Sequence, residues 1–334
     1  MEPPNIFHFA DSEPSQDAFL AWLLAWADSR WKNLNPDLHH LGARFVSALL
    51  ALHNKKSFVN GSMTVRVERQ ASDVVAEINN AFVVAILDES RGQPANHESI
   101  ELLEGKYPNR EILPVCPKTG DKIFDTGLNG LKPLLRAQVI ALLREDERAV
   151  SRNSIVDDFR QFLERQETDV QAWRYRPVTE WIRQHTPWIG FFQGLQAEFA
   201  DLSWKYVPNA DGGFIGAWWH RRPWDSLPGA NLYLQISQGP LQFRANGLEN
   251  SDSCKLVCQE AAIQLRRMGL AHNLEMAKTR LQRGETTVIA QIEREFWIGI
   301  RPNGLIDLPR TLNNMRSAAS ILESISEQEI ATAF

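Results

Sequence analysis

Cysteine is scarce. Cys116, Cys254 and Cys258 are the three in a chain of 334 residues. An odd count excludes a disulfide framework that uses every thiol, and the spacing of four between Cys254 and Cys258 fits one face of a helix. All three are expected to be reduced and buried. A zinc site would need further Cys or His ligands close by, and none stands there. The opening Met1-Glu-Pro-Pro-Asn5 has no basic stretch followed by an apolar run, so no signal peptide is read. No run of about 18 apolar residues occurs, which excludes a membrane-spanning helix on hydropathy. Positive charge is in short supply too: 36 Lys and Arg face 41 Asp and Glu, a formal net charge of −5. The global field therefore does not attract phosphate, and any grip on nucleic acid needs a local basic patch. A cytoplasmic protein with no membrane partner is the expectation.

What is present suits a globular protein. The composition is 43% hydrophobic and 23% charged, enough to bury a sizeable core, and the length suggests two domains. The first half reads as α/β. Gln16 to Ala27 is a helix behind a Ser12-Glu-Pro-Ser15 start, with Phe19, Trp22, Leu23 and Trp26 on one face. Asn35-Pro36 opens a second helix. Met63 to Gln70 alternates as a half-buried strand. Asp73 to Ile78 and Phe82 to Leu87 follow as strands joined by an Asn79-Asn80 turn, the second apolar on both faces and so placed mid-sheet. A helix from about Glu98 to Lys106 and a strand from Glu111 to Cys116 suggest a crossover back to the sheet. Leu131 to Glu145 and Ser154 to Glu164 read as helices, the latter with Ser154 as its cap.

The second half reads as α+β. Val178 to Asp201 is a long helical pattern that Pro187 kinks or splits. Four strand-like segments between Trp204 and Ala245 are separated by Gly- and Pro-containing turns. Ser253 to Asn273 is a helix, Thr287 to Ile292 and Glu295 to Ile300 read as strands, and Thr311 to Ile325 closes as a helix. The domains are taken as 1–170 and 171–334, with charged and polar residues clustered around the break.

The chemistry concentrates between residues 70 and 91. One strand delivers a lone carboxylate, Asp73; the next ends in Asp88 and Glu89. Acidic groups from adjacent strands at one edge make a site for a hard cation, which can polarise a phosphoryl oxygen and lower the pKa of a water. Glu77 lies four residues beyond Asp73, on the same face of its strand. Lys118 and Asp121 are expected in a Gly-containing loop after a strand. In Trp218-Trp219-His220-Arg221-Arg222-Pro-Trp224, aromatic and Arg side chains together could stack bases and touch phosphates. A plain strand with a solvated Arg loop is the alternative.

Asn5-Ile-Phe-His-Phe-Ala-Asp-Ser-Glu13-Pro-Ser-Gln-Asp17-Ala-Phe-Leu, Gln70-Ala-Ser-Asp73 leading to Glu77-Ile-Asn, Pro117-Lys118-Thr-Gly-Asp121 and Trp204-Lys-Tyr-Val-Pro-Asn-Ala-Asp-Gly-Gly-Phe-Ile-Gly-Ala-Trp-Trp219 occur in that order. Together they resemble a prokaryotic family of the PD-(D/E)XK nuclease superfamily over most of the chain. The resemblance implies a restriction-endonuclease-like core, a mixed sheet flanked by helices, followed by the C-terminal α+β region. It implies metal-dependent hydrolysis of DNA with Mg²⁺ or Mn²⁺, and a place in phage defence. Asp73 matches the metal-binding Asp, and Glu13 and Asp17 the polar residues of the first helix. Without a gap, the family's Glu position falls on Leu87 and its Lys position on Glu89. A slip of two residues, which keeps each side chain on its face, puts Glu89 and Arg91 in those roles. Arg91 would then stabilise phosphate charge but could not serve as a base. His97 stands for a family His on the next helix, and Glu101 replaces a Gln.

Three readings follow. The first is a nuclease with Asp73, Glu89 and Arg91 as catalytic residues, Asp73, Asp88 and Glu89 around the metal, and Glu13, Asp17 and Glu77 behind them. Lys118, Arg221 and Arg222 would then touch DNA. The second is a catalytically silent homologue that binds nucleic acid or a protein partner, or self-associates. The third is a defence-system sensor or scaffold whose second half does the recognising.

Overall fold

The computed structural model describes residues 7, 13–56, 62–70, 73–87, 97–118, 131–207, 213–249, 251–277 and 285–327. The chain divides into two compact units, Met1–Thr168 and Asp169–Phe334.

In the first unit, helices α1 (Glu13–Trp26) and α2 (Pro36–Leu52) precede strands β1 (Val65–Gln70), β2 (Asp73–Ile78) and β3 (Phe82–Ile86). Then come α3 (His97–Lys106), β4 (Glu111–Lys118), β5 (Lys132–Leu135), α4 (Arg136–Arg144), α5 (Glu147–Arg152) and α6 (Ser154–Val170). The five strands form one mixed sheet in the order β1-β2-β3-β4-β5. The first three are antiparallel neighbours, and β3, β4 and β5 are parallel to one another. A two-residue hairpin serves the antiparallel join, but a parallel join needs a crossover, and α3 supplies it. Asn79 and Asn80 sit at φ 51° and 53°, the left-handed pair that a tight hairpin demands and that Asn tolerates. Ala81 N closes the turn on Ile78 O at 3.0 Å.

Strand alternation loads both faces of the sheet. Val74, Ala76, Ile78, Val84, Ile86 and Val115 share a core with α1, α2 and α6. Val75, Val83, Ala85, Leu87 and Cys116 pack with Leu103 of α3 and Leu131 on the other side. A strand buried on both faces has no polar alternation to show, as β3 demonstrates.

The sequence reading needs correction here at two points. Leu131 to Glu145 is not one helix, because 132–135 is strand β5, with Pro133 opposite Cys116 at the sheet edge. Proline disfavours helical geometry in the residue before it and has no N–H for a helical ladder. The cap of α6 is Asn153, whose Oδ1 accepts from Ile155 N at 3.1 Å and Val156 N at 3.2 Å, rather than Ser154.

Asp28 ties α1 to the sheet. It is 3% exposed; its Oδ1 accepts from Arg30 N and Nε at 2.9 Å each, and its Oδ2 from Val65 N at 3.0 Å. Burial alone would raise its pKa, but the donors from Arg30 and Val65 outweigh it and hold the carboxyl below its ordinary 3.8. A carboxyl depressed in the folded state adds stability above its unfolded pKa, and that stability is lost as pH falls through the folded value. Asp28→Ala is therefore expected to cost about 1–3 kcal/mol at neutral pH. The deficit should shrink as the buffer is taken below pH 3.8, read by urea melts across that range.

The second unit contains α7 (Val178–Trp181), α8 (His185–Gln196), β6 (Ser203–Val207), β7 (Phe214–Pro223), β8 (Asn231–Ile236) and β9 (Leu241–Asn246). They are followed by α9 (Asp252–Ala271), β10 (Met276–Ala277), β11 (Thr286–Ile292), α10 (Arg294–Trp297) and α11 (Leu308–Ser326). Its sheet runs β10-β11-β9-β8-β7-β6 and is antiparallel throughout. The helical pattern from Val178 breaks between Trp181 and His185, so Pro187 falls in the first turn of α8, where no N–H is needed. Glu295 to Ile300 is not a strand. It holds the single helical turn α10 and then an isolated bridge, Ile300 to Ile306, and Trp297 is buried there with Nε1 donating to Gly239 O at 3.1 Å. All three cysteines are free and buried. Burial, with Cys254 beside it, pushes the Cys258 thiol up to about 12.

Candidate functional site

Asp73 and Lys118 stand at the same end of the sheet of the first unit, where β2 begins and β4 ends. Asp73 opens β2 opposite Gln70. The β2–β3 register that pairs Val74 with Ile86 brings Asp73 across from Leu87. Leu87 is 2% exposed, packs with Val75, Ala85 and Cys116, and donates its N–H to Val115 O at 2.9 Å. The position to which an ungapped comparison assigns a metal-binding Glu is thus filled by a buried aliphatic side chain. Asp88, Glu89, Arg91 and Asp121 lie outside the described residues.

Helix α1 approaches the same edge from the opposite face. Its C-terminal end is anchored through Asp28 to Val65, which pairs with Ile78 at the far end of β2. The helix therefore starts near the end where Asp73 lies. Its opening turns carry Glu13 in the backbone and bury Gln16 and Asp17, 3% and 4% exposed. On the α3 side, Lys118 ends β4 opposite Leu135 and is 5% exposed. Lys118 was expected in a loop; the strand runs two residues further than read. Buried carboxylate and ammonium side chains are rare without partners, so burial of Asp17 and Lys118 marks this edge as polar inside. Gln16 was not singled out from the sequence, and nothing in the helical spacing distinguishes it from a surface amide.

Glu77 does not join this edge. Four residues along a strand is about 13 Å, and Glu77 is taken by Arg110, Oε1 to Nε at 2.6 Å. His97 opens α3, and Glu101 on the same helix is exposed. Among the described residues no group of three or more His, Cys, Asp or Glu comes together. Asp73 is the sole proposed metal ligand among them, so the described part does not itself make up a ligand set.

In the second unit, His220 takes φ 55° at a bulge where β7 shifts register between Trp219 and Arg222. Its N–H donates to Asp201 Oδ2 at 2.8 Å. Burial, with Arg222 adding to it, pushes its imidazole pKa below 6.5. Arg222 lies 3.6 Å from Glu323 of α11, and Arg221 is exposed. Both side chains of the Arg222–Glu323 pair keep more than two fifths of their surface exposed. Trp219 is buried in the core, whereas Trp218 points to the opposite face.

Comparison with protein-family models, with curated proteins and with solved structures yields no match.

Proposed function

We propose that the first unit is a PD-(D/E)XK-type nuclease core acting on DNA, with its site at the edge where β2 starts. The observation that carries the reading is the burial of Asp17 and Lys118 at the edge where Asp73 opens its strand. The order of a helix, a three-stranded meander, a crossover helix and a parallel strand supports it. Asp73, with Asp88 and Glu89, would hold Mg²⁺ or Mn²⁺. A divalent ion there polarises a phosphoryl oxygen and lowers the pKa of a bound water. Asp17 would orient groups behind the ligands, and Lys118 and Arg91 would offset charge on the phosphate.

Cleavage of plasmid and single-stranded DNA with added Mg²⁺ or Mn²⁺ tests this. Asp73→Ala is expected to reduce the rate at least about 100-fold, the scale of losing one charge-stabilising group. Metal-independent cleavage, or activity untouched by Asp73→Ala, would remove the proposal. The buried Leu87 favours a second reading, an inherited core that has lost catalysis and retains binding. Absence of any metal-dependent cleavage, with no heat on Mg²⁺ titration, would leave that reading in place.

A further inference from the structure

Each strand of an antiparallel sheet buries alternate residues and turns the others outward. In the second unit, the row Trp204, Ala217, Ile236, Leu241 and Ile292 is buried. The next row on the opposite face reads Ser203, Trp218, Gln235, Gln242 and Gln291, and its neighbour pairs Tyr233 with Arg244. Helix α8 meets the buried face, with Gln196 accepting from Trp204 Nε1 at 3.1 Å. Helix α11 reaches the same side, where Glu323 meets Arg222.

That outward face is organised. Gln235, 3% exposed, accepts at Oε1 from Trp218 Nε1 at 2.8 Å and from Arg244 Nη1 at 3.0 Å, and its Nε2 donates to Ser237 Oγ at 2.6 Å. One buried amide thus fixes an indole and a guanidinium side by side. The Trp218 ring lies down on Gly216. A Cβ there would meet its Cη2 at 2.7 Å and Cζ2 at 2.8 Å, so the strand has to be bare at that point. Trp218 is half-buried in this position. Tyr233 stands diagonal to Trp218, about 7–8 Å away for such a pair, and Lys205 is exposed on the adjoining edge strand.

The charge is one-sided. Lys205 and Arg244 belong to this face, Arg222 turns to the helix side, and the six strands carry no Asp or Glu, in a chain whose formal net charge is −5. Two acids stand close by: Glu293, just past β11, accepts from Gln291 Nε2 at 2.7 Å, and Asp201 accepts from His220 N at 2.8 Å. A prearranged aromatic platform with amides and cations beside it, on strands that carry no carboxylate of their own, complements a polyanion whose bases are unpaired. Bases stack on the rings, phosphates meet the cations, and amides reach base edges. A duplex offers no free base face to Trp218.

We infer that this sheet face binds single-stranded nucleic acid, with Trp218 as the stacking platform and Lys205 and Arg244 on the phosphates. The inference does not rest on the nuclease reading. The test is fluorescence anisotropy of a dye-labelled oligothymidylate of about 16 nucleotides, titrated with the full-length chain carrying Asp73→Ala in EDTA, so that cleavage and metal play no part. Binding is expected to weaken with salt, log K against log salt having a slope of about −1.4 for two phosphates at about 0.7 each. Trp218→Ala is expected to weaken binding by about 5- to 150-fold, the range for one lost base stack. Lys205→Glu, an exposed site where folding is not in question, should also weaken binding and flatten the slope. No binding, equal affinity for a duplex of the same sequence, or affinity unmoved by both variants would overturn the inference. Wild-type cleavage of DNA alongside any of those results would separate its failure from that of the nuclease reading.

Discussion

Leu87→Glu is expected to lower the melting temperature by about 10 °C in metal-free buffer, and Mn²⁺ or Mg²⁺ is expected to restore part of the loss. Leu87 is 2% exposed among Val75, Ala85, Leu103 and Cys116. Removing its side chain from that cluster costs about 2–5 kcal/mol. A buried carboxylate with no partner adds to this. At about 2–4 °C per kcal/mol for a unit of this size, a combined cost of at least about 4 kcal/mol gives the stated fall. A buried glutamate has a raised pKa and is cheaper when neutral, so the deficit should shrink as the pH is lowered. The informative part is the metal. The strand register sets position 87 across from Asp73, so a carboxylate restored there would complete a pair of ligands. Ligand at about 100 times its dissociation constant stabilises by about 2.7 kcal/mol, about 5–10 °C here. Thermal melts of wild type, Leu87→Glu and Leu87→Ala with and without Mn²⁺ decide it. Equal metal shifts in all three, or none in the Glu variant, would show that position 87 does not face a cation site.

The sheet of the first unit was legible because local chemistry and pattern agreed. Asn79-Asn80 signals a tight hairpin because Asn accepts positive φ, and both residues adopt it. The unbroken apolar run from Phe82 announces a strand covered on both sides, and β3 lies between β2 and β4. Strand β5 escaped notice because four residues leave no periodicity to read, and Leu134 and Leu135 merge into the helical pattern of α4. Burial at the candidate site was not legible either. Composition says that a carboxylate or an ammonium belongs in solvent, yet Asp17 and Lys118 are 4% and 5% exposed. Glu77 is held by Arg110, 33 positions away, beyond the reach of any local pattern. In the second unit, Leu232-Tyr-Leu-Gln235-Ile and Leu241-Gln-Phe-Arg244-Ala-Asn do alternate, and that alternation was the available sign of an outward polar row. The bond from Arg244 to Gln235 follows only once the β8–β9 register is known.

The largest structural effect in the second unit is expected from a single methyl group. In Gly190→Ala, the added Cβ would overlap Val170 O and stand 2.9 Å from Val170 C and 3.0 Å from the Trp173 Cδ1. Two of these atoms are backbone, so no side-chain rotation relieves the overlap; α8 has to move away from the segment 170–173. That segment carries Trp173, which packs edge-on against Phe191 at 5.4 Å between ring centroids. Phe191 in turn meets Trp181, Trp188 and Trp297 at 5.9, 5.6 and 6.3 Å. A shift of α8 therefore loosens an aromatic cluster in which each such pair contributes about 0.5–1.5 kcal/mol beyond its burial. Overpacking commonly costs about 1–3 kcal/mol, and the backbone contact places Gly190→Ala at the upper end, about 3 kcal/mol. Gly105 is the control. It lies in α3, and an added Cβ there meets nothing within 4 Å. Gly105→Ala should therefore stabilise by roughly 0.5–1 kcal/mol, since alanine gives up less chain entropy in a helix. Denaturant midpoints moving in opposite directions for the two substitutions, at unchanged slope, would establish that close approach rather than helix propensity requires glycine at 190. A Gly190→Ala midpoint within about 0.5 kcal/mol of wild type would mean that α8 does not approach 170–173 so closely.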